Sequence, residues 1–396
     1  MTDPIPRRRL IPMPAWLIFG LLVVEGLLWL SERFQWPTWH KGYAVLTAVA
    51  AVGVAMLVML LWFIVALVFR WRFQFSIRSL LVLTLAVAVP CSWMAVEMKK
   101  AKRQKEAVAE ITREGGVGIW YDWQLGENFL PPLNAHPPGP DWLRMLLGED
   151  FFTEVVRIEA MRHDGKITDA WMEHLDDLPR LQQLALLEPQ ITDVGLEHLK
   201  RLTDLQQLML LNAKITNVGL EHVKGLTQLR ELYLWANITD AGLEHLEGLT
   251  QLRELNLSAS ITNAGLAHLN GLAQLRRLKL SSREVTDAGL VHLDGLAQLR
   301  ELDLSGVKVT DTGLEHISKW TQLDELSVDN TNFTDAGMEY LKGLTQLRKL
   351  DLDGTTISLD GIDTVVFPDS GPHSTAVTDQ GVAKLQQALP NCTIRH

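Results

Sequence analysis

Hydrophobic positions along the chain fall into two unlike patterns. Near the start they run together: Ala44 to Phe69 is an unbroken apolar stretch of 26 residues, flanked by shorter ones at Ala15–Leu30 and Leu80–Val96. From residue 178 onward they are spaced. Apolar residues return every 23 or 24 positions, opening units at Leu178, Leu202, Leu226, Leu249, Leu272, Leu296, Trp320 and Leu344. A partial unit comes before these, with Val155, Ile158 and Ala160 followed by Ile167-Thr168-Asp169. The eighth unit diverges after Ile357, carries an insertion containing Gly371-Pro372, and resumes at Val377-Thr378-Asp379.

Each unit combines two periods. In the unit 226–248, Leu229-x-x-Leu232-x-Leu234 ends in the alternation of a half-buried strand. Leu243, Leu246 and Leu249 then recur every third residue, as on one stripe of a helix. Thr239-Asp240 supplies an N-cap and an acidic first turn. A single unit cannot bury its own leucines, whereas a stack can. The pattern predicts an α/β fold: a right-handed solenoid with a parallel sheet on the concave face and helices on the convex face. Asn391–Ile394 reads as the last strand of a C-terminal cap.

This is the leucine-rich repeat pattern. The wording Ile238-Thr-Asp-Ala-Gly-Leu-Glu-His-Leu246 resembles the repeats of ubiquitin-ligase F-box adaptors. It resembles more closely a group of bacterial membrane-anchored leucine-rich repeat proteins. In that group a helix like Phe75-Ser-Ile-Arg-Ser-Leu-Leu81 precedes a segment like Trp142-Leu-Arg-Met-Leu-Leu-Gly-Glu-Asp-Phe-Phe152, and the repeats follow. The resemblance implies a bacterial leucine-rich repeat solenoid behind a membrane anchor.

The N-terminal apolar runs point the same way. At ~1.5 Å per residue the longest is sufficient to cross a ~30 Å hydrocarbon core, and tryptophans cluster near the run ends, as in an aromatic belt. The expected organisation is a membrane region at 1–98 with three transmembrane helices (about 15–30, 44–69 and 80–96), a connector and N-terminal cap at 99–154, and the solenoid at 155–396. The expected location is the bacterial cell membrane, multi-pass, with the lipid bilayer as one partner. In the connector, Lys99–Thr112 reads as a helix, Val117–Trp123 as a short strand and Trp142–Leu147 as an amphipathic turn.

Charge divides the chain at nearly the same place. Residues 1–105 hold thirteen Lys/Arg against four Asp/Glu, a net of +9, which leaves −19 on the remainder. Nucleic acid is therefore an unsuitable partner for the repeats, because phosphate binding needs clustered Lys and Arg. Two cysteines exclude a disulfide scaffold and a cysteine-built zinc site.

The sequence holds no Gly-x-Ser-x-Gly, no Gly-x-x-x-x-Gly-Lys-Ser/Thr and no His-Glu-x-x-His. No enzymatic activity, cofactor or metal is expected. Seven histidines occupy one slot of the repeat, from His174 and His198 to His316. At ~100° per residue that slot points about 130° away from the buried stripe, so the row reads as convex surface. The repeated aspartates, such as Asp240 and Asp287, read as helix-capping residues.

The alternate strand positions form the concave wall. There Leu187, Met209, Leu211, Tyr233 and Trp235 are neighbouring apolar or aromatic side chains with no role in the leucine core. Beyond them the wall turns polar and then acidic, through Asp303 to Asp351. A contiguous exposed apolar patch with Tyr and Trp anchors is a candidate protein-contact surface. The function expected is a protein-binding module using this face. A substrate-recruiting adaptor of a degradation system and a self-associating structural protein of the envelope are the alternatives.

Overall fold

The computed structural model describes residues 77–113, 115–125, 136–161, 166–328, 333–352, 357–359, 362–365 and 379–395. The chain forms two compact units, one from 1–106 with 121–154, the other from 107–120 with 155–396.

The second unit is built on an eleven-stranded sheet. Its strands are β1 (Gly118–Tyr121), β2 (Val155–Ala160), β3 (Gln183–Leu187), β4 (Gln207–Leu211), β5 (Glu231–Trp235), β6 (Glu254–Ser258), β7 (Arg277–Ser281), β8 (Glu301–Asp303), β9 (Glu325–Ser327), β10 (Lys349–Asp351) and β13 (Thr393–Arg395). From β2 to β10 neighbours in space are neighbours in sequence and pair in parallel. Each strand leads into a short α or 3₁₀ turn on the far side, such as Asp240–Leu243 followed by Glu244–Leu246. The leucines fill the space between: Leu232, Leu234, Leu243 and Leu246 of one unit, and Leu249 and Leu252 that open the next, are all fully buried.

The repeated aspartates are not the helix caps expected: the N-cap position is threonine, as at Thr310 and Thr334, and the aspartates follow it. Each reaches into the next repeat. Asp169 accepts from the backbone N–H of Thr192 (2.7 Å), the Thr192 hydroxyl (2.7 Å) and the N–H of Gly195 (3.1 Å). Asp193, Asp240, Asp287 and Asp311 hold Thr216, Thr262, Thr310 and Thr334 in the same way. This contact explains the glycine that stands two residues after the Asp or Asn position in every repeat after the first. A Cβ on Gly195, Gly219, Gly265, Gly313 or Gly337 would stand 2.2–2.4 Å from the clamping oxygen of the preceding repeat.

Two repeats have asparagine instead, and the hydrogen bonds change direction. Asn217 and Asn263 accept from the N–H of Thr239 and Thr286, then donate Nδ2–H to those hydroxyls. Where Asp takes the threonine proton, the hydroxyl lone pairs stay available, and Thr192, Thr216, Thr262, Thr310 and Thr334 accept a helix N–H two residues on. Thr239 and Thr286, which accept from the amide, make no such cap.

The ends of the stack follow from the same joint. The first repeat has no aspartate before it, and its glycine slot holds Trp171, which is buried and donates its indole N–H to the carbonyl of Ile111 (3.4 Å). At the other end Gly381 meets Asp335, and β13 pairs with β10 through Lys349↔Thr393 and Leu350↔Ile394. The segment from Asp379 to Arg395 thus stacks directly on the repeat before the insertion. Inside the insertion β11 (Ile357–Leu359) and β12 (Ile362–Val365) pair antiparallel as a separate two-stranded sheet.

The first unit contains most of α1 (Ile77–Arg113) and α2 (Asp141–Leu147). Its core is Leu143, Phe151 and Phe152, packed against Trp93, Met94, Ala101 and Leu147. Gln104 is buried and donates to the Thr153 carbonyl at 2.9 Å. The amphipathic turn expected at 142–147 is present, but only Leu143 is fully buried on it, while Trp142, Met145 and Leu146 are exposed.

The membrane expectation is corrected. Among the described residues no helix is long and apolar enough to cross a membrane, so neither the multi-pass location nor the bilayer as partner is supported. The runs Ala15–Leu30 and Ala44–Phe69 lie outside the described residues. The third run, Leu80–Val96, lies in α1, which continues without a break through Lys99, Lys100, Lys102, Arg103 and Lys105. At 17 residues the run sits at the lower limit of the ~17–25 that a crossing needs. Its last turns are committed to protein packing, since Trp93 and Met94 lie against the phenylalanine core.

Candidate functional site

The strand register sets the wall in rows. The first strand position aligns Arg157, Gln183, Gln207, Glu231, Glu254, Arg277, Glu301, Glu325 and Lys349. The third aligns Glu159, Ala185, Met209, Tyr233, Asn256, Lys279, Asp303, Ser327 and Asp351. The fifth aligns Leu187, Leu211, Trp235, Ser258 and Ser281. The residues between these positions, including Leu184, Leu208, Leu232 and Leu255, are fully buried in the core. The alternation read from the sequence is the alternation of the structure.

The five apolar wall residues come together in one cluster, which Ala185 and Met161 extend. They are not equally accessible. Met209, Leu211 and Tyr233 are only 3%, 5% and 7% exposed, whereas Leu187 and Trp235 are half-buried. The rows supply a reason: Met209 sits between Ala185 and Tyr233, and Leu211 between Leu187 and Trp235. Strands ~4.8 Å apart let large side chains shield one another. The cluster is a small second core on the wall side of the sheet, with Leu187, Trp235 and Met161 at its margin.

Polar atoms at its edge are mostly satisfied within the wall. Tyr233 donates its hydroxyl to Glu254, and Trp235 donates its indole N–H to Asn256 Oδ1 at 3.4 Å. Burial, reinforced by the Glu254 carboxylate, pushes the Tyr233 phenol far above its ordinary range, so it remains a donor at neutral pH. Gln183 is only 6% exposed, and among the described residues its Oε1 has no hydrogen-bond partner.

Beyond the cluster the wall is a network of ion pairs. Arg277 bridges Glu254 (2.9 Å) and Glu301 (3.0 Å). Lys279 pairs with Asp303, and Lys349 with Glu325 at 3.1 Å. Burial raises the Glu301 pKa; Arg277 opposes the shift, and the neighbouring carboxylates of Glu325 and Glu254 add to it. The acidic end expected from the sequence is therefore largely balanced by its own bases.

The histidine row is less exposed than the helical wheel implied. Only His292 is exposed, and the other six are intermediate. Several contact the preceding repeat: His198 Nδ1 lies 3.2 Å from Asp176, and His268 Nδ1 lies 2.6 Å from Glu247. Among the described residues no three metal-ligating side chains come together.

These observations define the class: the repeated Leu-x-x-Leu-x-Leu strands, one parallel sheet and a leucine core form a leucine-rich repeat solenoid. A sequence model of the leucine-rich repeat matches residues 298–318. No curated protein matches the chain. A leucine-rich repeat protein of Leptospira interrogans is similar at 20% identity, over 57% of this chain and 51% of that one, with a TM-score of 0.40. Internalin C2 of Listeria monocytogenes is similar at 27% identity, over 50% of this chain and 81% of that one, with a TM-score of 0.41. The match thus spans about half the length of the Leptospira protein.

The rim carries a further repeated feature that is legible in the sequence. The repeated Leu-Thr/Ala-Gln-Leu-Arg places Arg230, Arg253, Arg276 and Arg300 in one slot, just before successive strands.

Proposed function

We propose that the chain is a protein-binding solenoid whose partner docks on the wall side of the sheet, over the apolar cluster. Met209, Leu211 and Tyr233 form the floor of this site, and Leu187 and Trp235 are its accessible margin. One observation carries the reading: a contiguous apolar cluster lies on the opposite side of the sheet from the leucine core, which is complete without it. Stacked repeats use such extended walls for binding, and Trp is a favoured anchor because it buries a large area for little conformational entropy.

The test compares the full chain with two variants. Trp235→Ala should weaken partner retention by about 2 kcal/mol, as loss of an aromatic anchor does. Val218→Ala, at an exposed position on the convex side, should leave retention unchanged. Both should melt close to the parent chain. Equal retention by all three proteins would remove the site from the wall. Substrate recruitment and self-association are two uses of the same surface, separated by whether the retained partner is another protein or a second copy.

A further inference from the structure

The rim arginines occupy a fixed ladder. Arg253 N–H donates to the Arg230 carbonyl (2.7 Å), Arg276 N–H to the Arg253 carbonyl (2.8 Å), and Arg300 N–H to the Arg276 carbonyl (2.8 Å). Their Cα atoms therefore follow the ~4.8 Å strand spacing. All four are exposed. Arg300 pairs with Asp324 at 3.1 Å, and Asp324, in the next position of the same slot, also faces Arg348 at 4.0 Å. Arg277, one residue further along its strand, bridges two glutamates. Arg230, Arg253 and Arg276 differ. Among the described residues none of their side chains makes an ion pair, a hydrogen bond or a ring contact, although this part of the chain carries an excess of acid.

Three like charges in register, with no ion-pair partner among the described residues, disfavour the isolated stack and favour a ligand that supplies anions at the same spacing. The stripe is one residue wide. On one side lies the row Glu231, Glu254, Arg277 and Glu301, mostly glutamate, and on the other the exposed amides of Gln228, Gln251 and Gln274. A broad polyanion such as nucleic acid would overlie the glutamate row. An α-helix carrying carboxylates at i, i+3 or i+4, and i+7 presents a single narrow line of anions ~5–6 Å apart, close to the arginine spacing. Each guanidinium can hold a carboxylate through two N–H donors.

We infer that Arg230, Arg253 and Arg276 form a docking stripe for an acidic α-helix of a partner protein, with one carboxylate over each arginine. This surface does not depend on the apolar wall site.

The probe is an alanine-based helical peptide with glutamates at i, i+4, i+7 and i+11. Its control has the same composition with the glutamates distributed around the helix. The full chain should bind the aligned peptide at least tenfold more tightly than the control. Arg253→Gln or Arg276→Gln should weaken binding about three- to fivefold each, and the triple Arg230→Gln/Arg253→Gln/Arg276→Gln variant at least twentyfold. Raising the salt from 50 to 300 mM should weaken binding by the parent chain, through screening. Trp235→Ala should leave this binding unchanged. Equal binding of aligned and distributed peptides, or full binding by the triple variant, would overturn the inference. So would tighter binding of single-stranded oligothymidine than of the aligned helix, lost in the triple variant, since the stripe would then serve nucleic acid.

Discussion

At the scale of the residue, the sequence reads best where a side chain has one neighbour type and worst where its role depends on the next repeat. Leu232 and Leu234 are legible because alternation alone places them inside. Met209 and Tyr233 are equally legible as wall residues, but their burial depends on Ala185 and Leu211 arriving beside them, which single-strand alternation does not contain. Glu301 belongs to the same class. Its position on the wall follows from the strand pattern, yet its raised pKa comes from burial among Arg277, Glu254 and Glu325. In the unfolded chain this carboxyl releases its proton first. Its contribution to stability should therefore fall as pH rises from the ordinary carboxylate range through the raised folded pKa. Thermal melts of the parent and Glu301→Gln between pH 4 and 7 should show the difference, variant minus parent, becoming more favourable to the variant as pH increases. A pH-independent difference would contradict the assignment.

At the scale of the element, strands were easier to read than their junctions. The repeat period, the eight unit starts and the divergence of the eighth unit after Ile357 are all visible in the leucine spacing. The split of residues 77–113 into an apolar helix and a separate charged one was a misreading: a change of composition is not a helix break, and neither Pro90 nor the onset of lysines interrupts α1. The two glycines of the repeat were also indistinguishable by pattern. In the structure they differ sharply. Gly265 lies where a Cβ would meet Asp240 Oδ1 at 2.2 Å, while Gly248 has open space around its own. Gly265→Ala should destabilise the chain by about 1–3 kcal/mol, because the repeat joint must widen. Gly248→Ala should be neutral or stabilising by up to about 1 kcal/mol, through lower unfolded-state entropy. Chemical denaturation of the two variants side by side measures the contrast. Similar losses would mean that the clamp does not set the repeat spacing.

At the scale of the whole chain, the solenoid is a set of rows more than a set of repeats. Each slot of the unit becomes a line running across the strands: leucines inside, an apolar cluster and an ion-pair network on the wall, arginines on the rim, aspartates joining one turn to the next. The proposed binding surfaces depend on one division, in which adjacent residues of a strand go to opposite sides of the sheet. The most direct measurement is the unfolding free energy of two neighbouring substitutions in β9. Leu326 is buried in the core, whereas the Glu325 side chain is 46% exposed on the wall and paired only with Lys349 among the pairs described above. Leu326→Ala should cost ~2–5 kcal/mol through lost burial and the cavity left behind, and Glu325→Ala less than about 1 kcal/mol. Comparable losses, or the larger loss at Glu325, would contradict the register and the two surfaces derived from it.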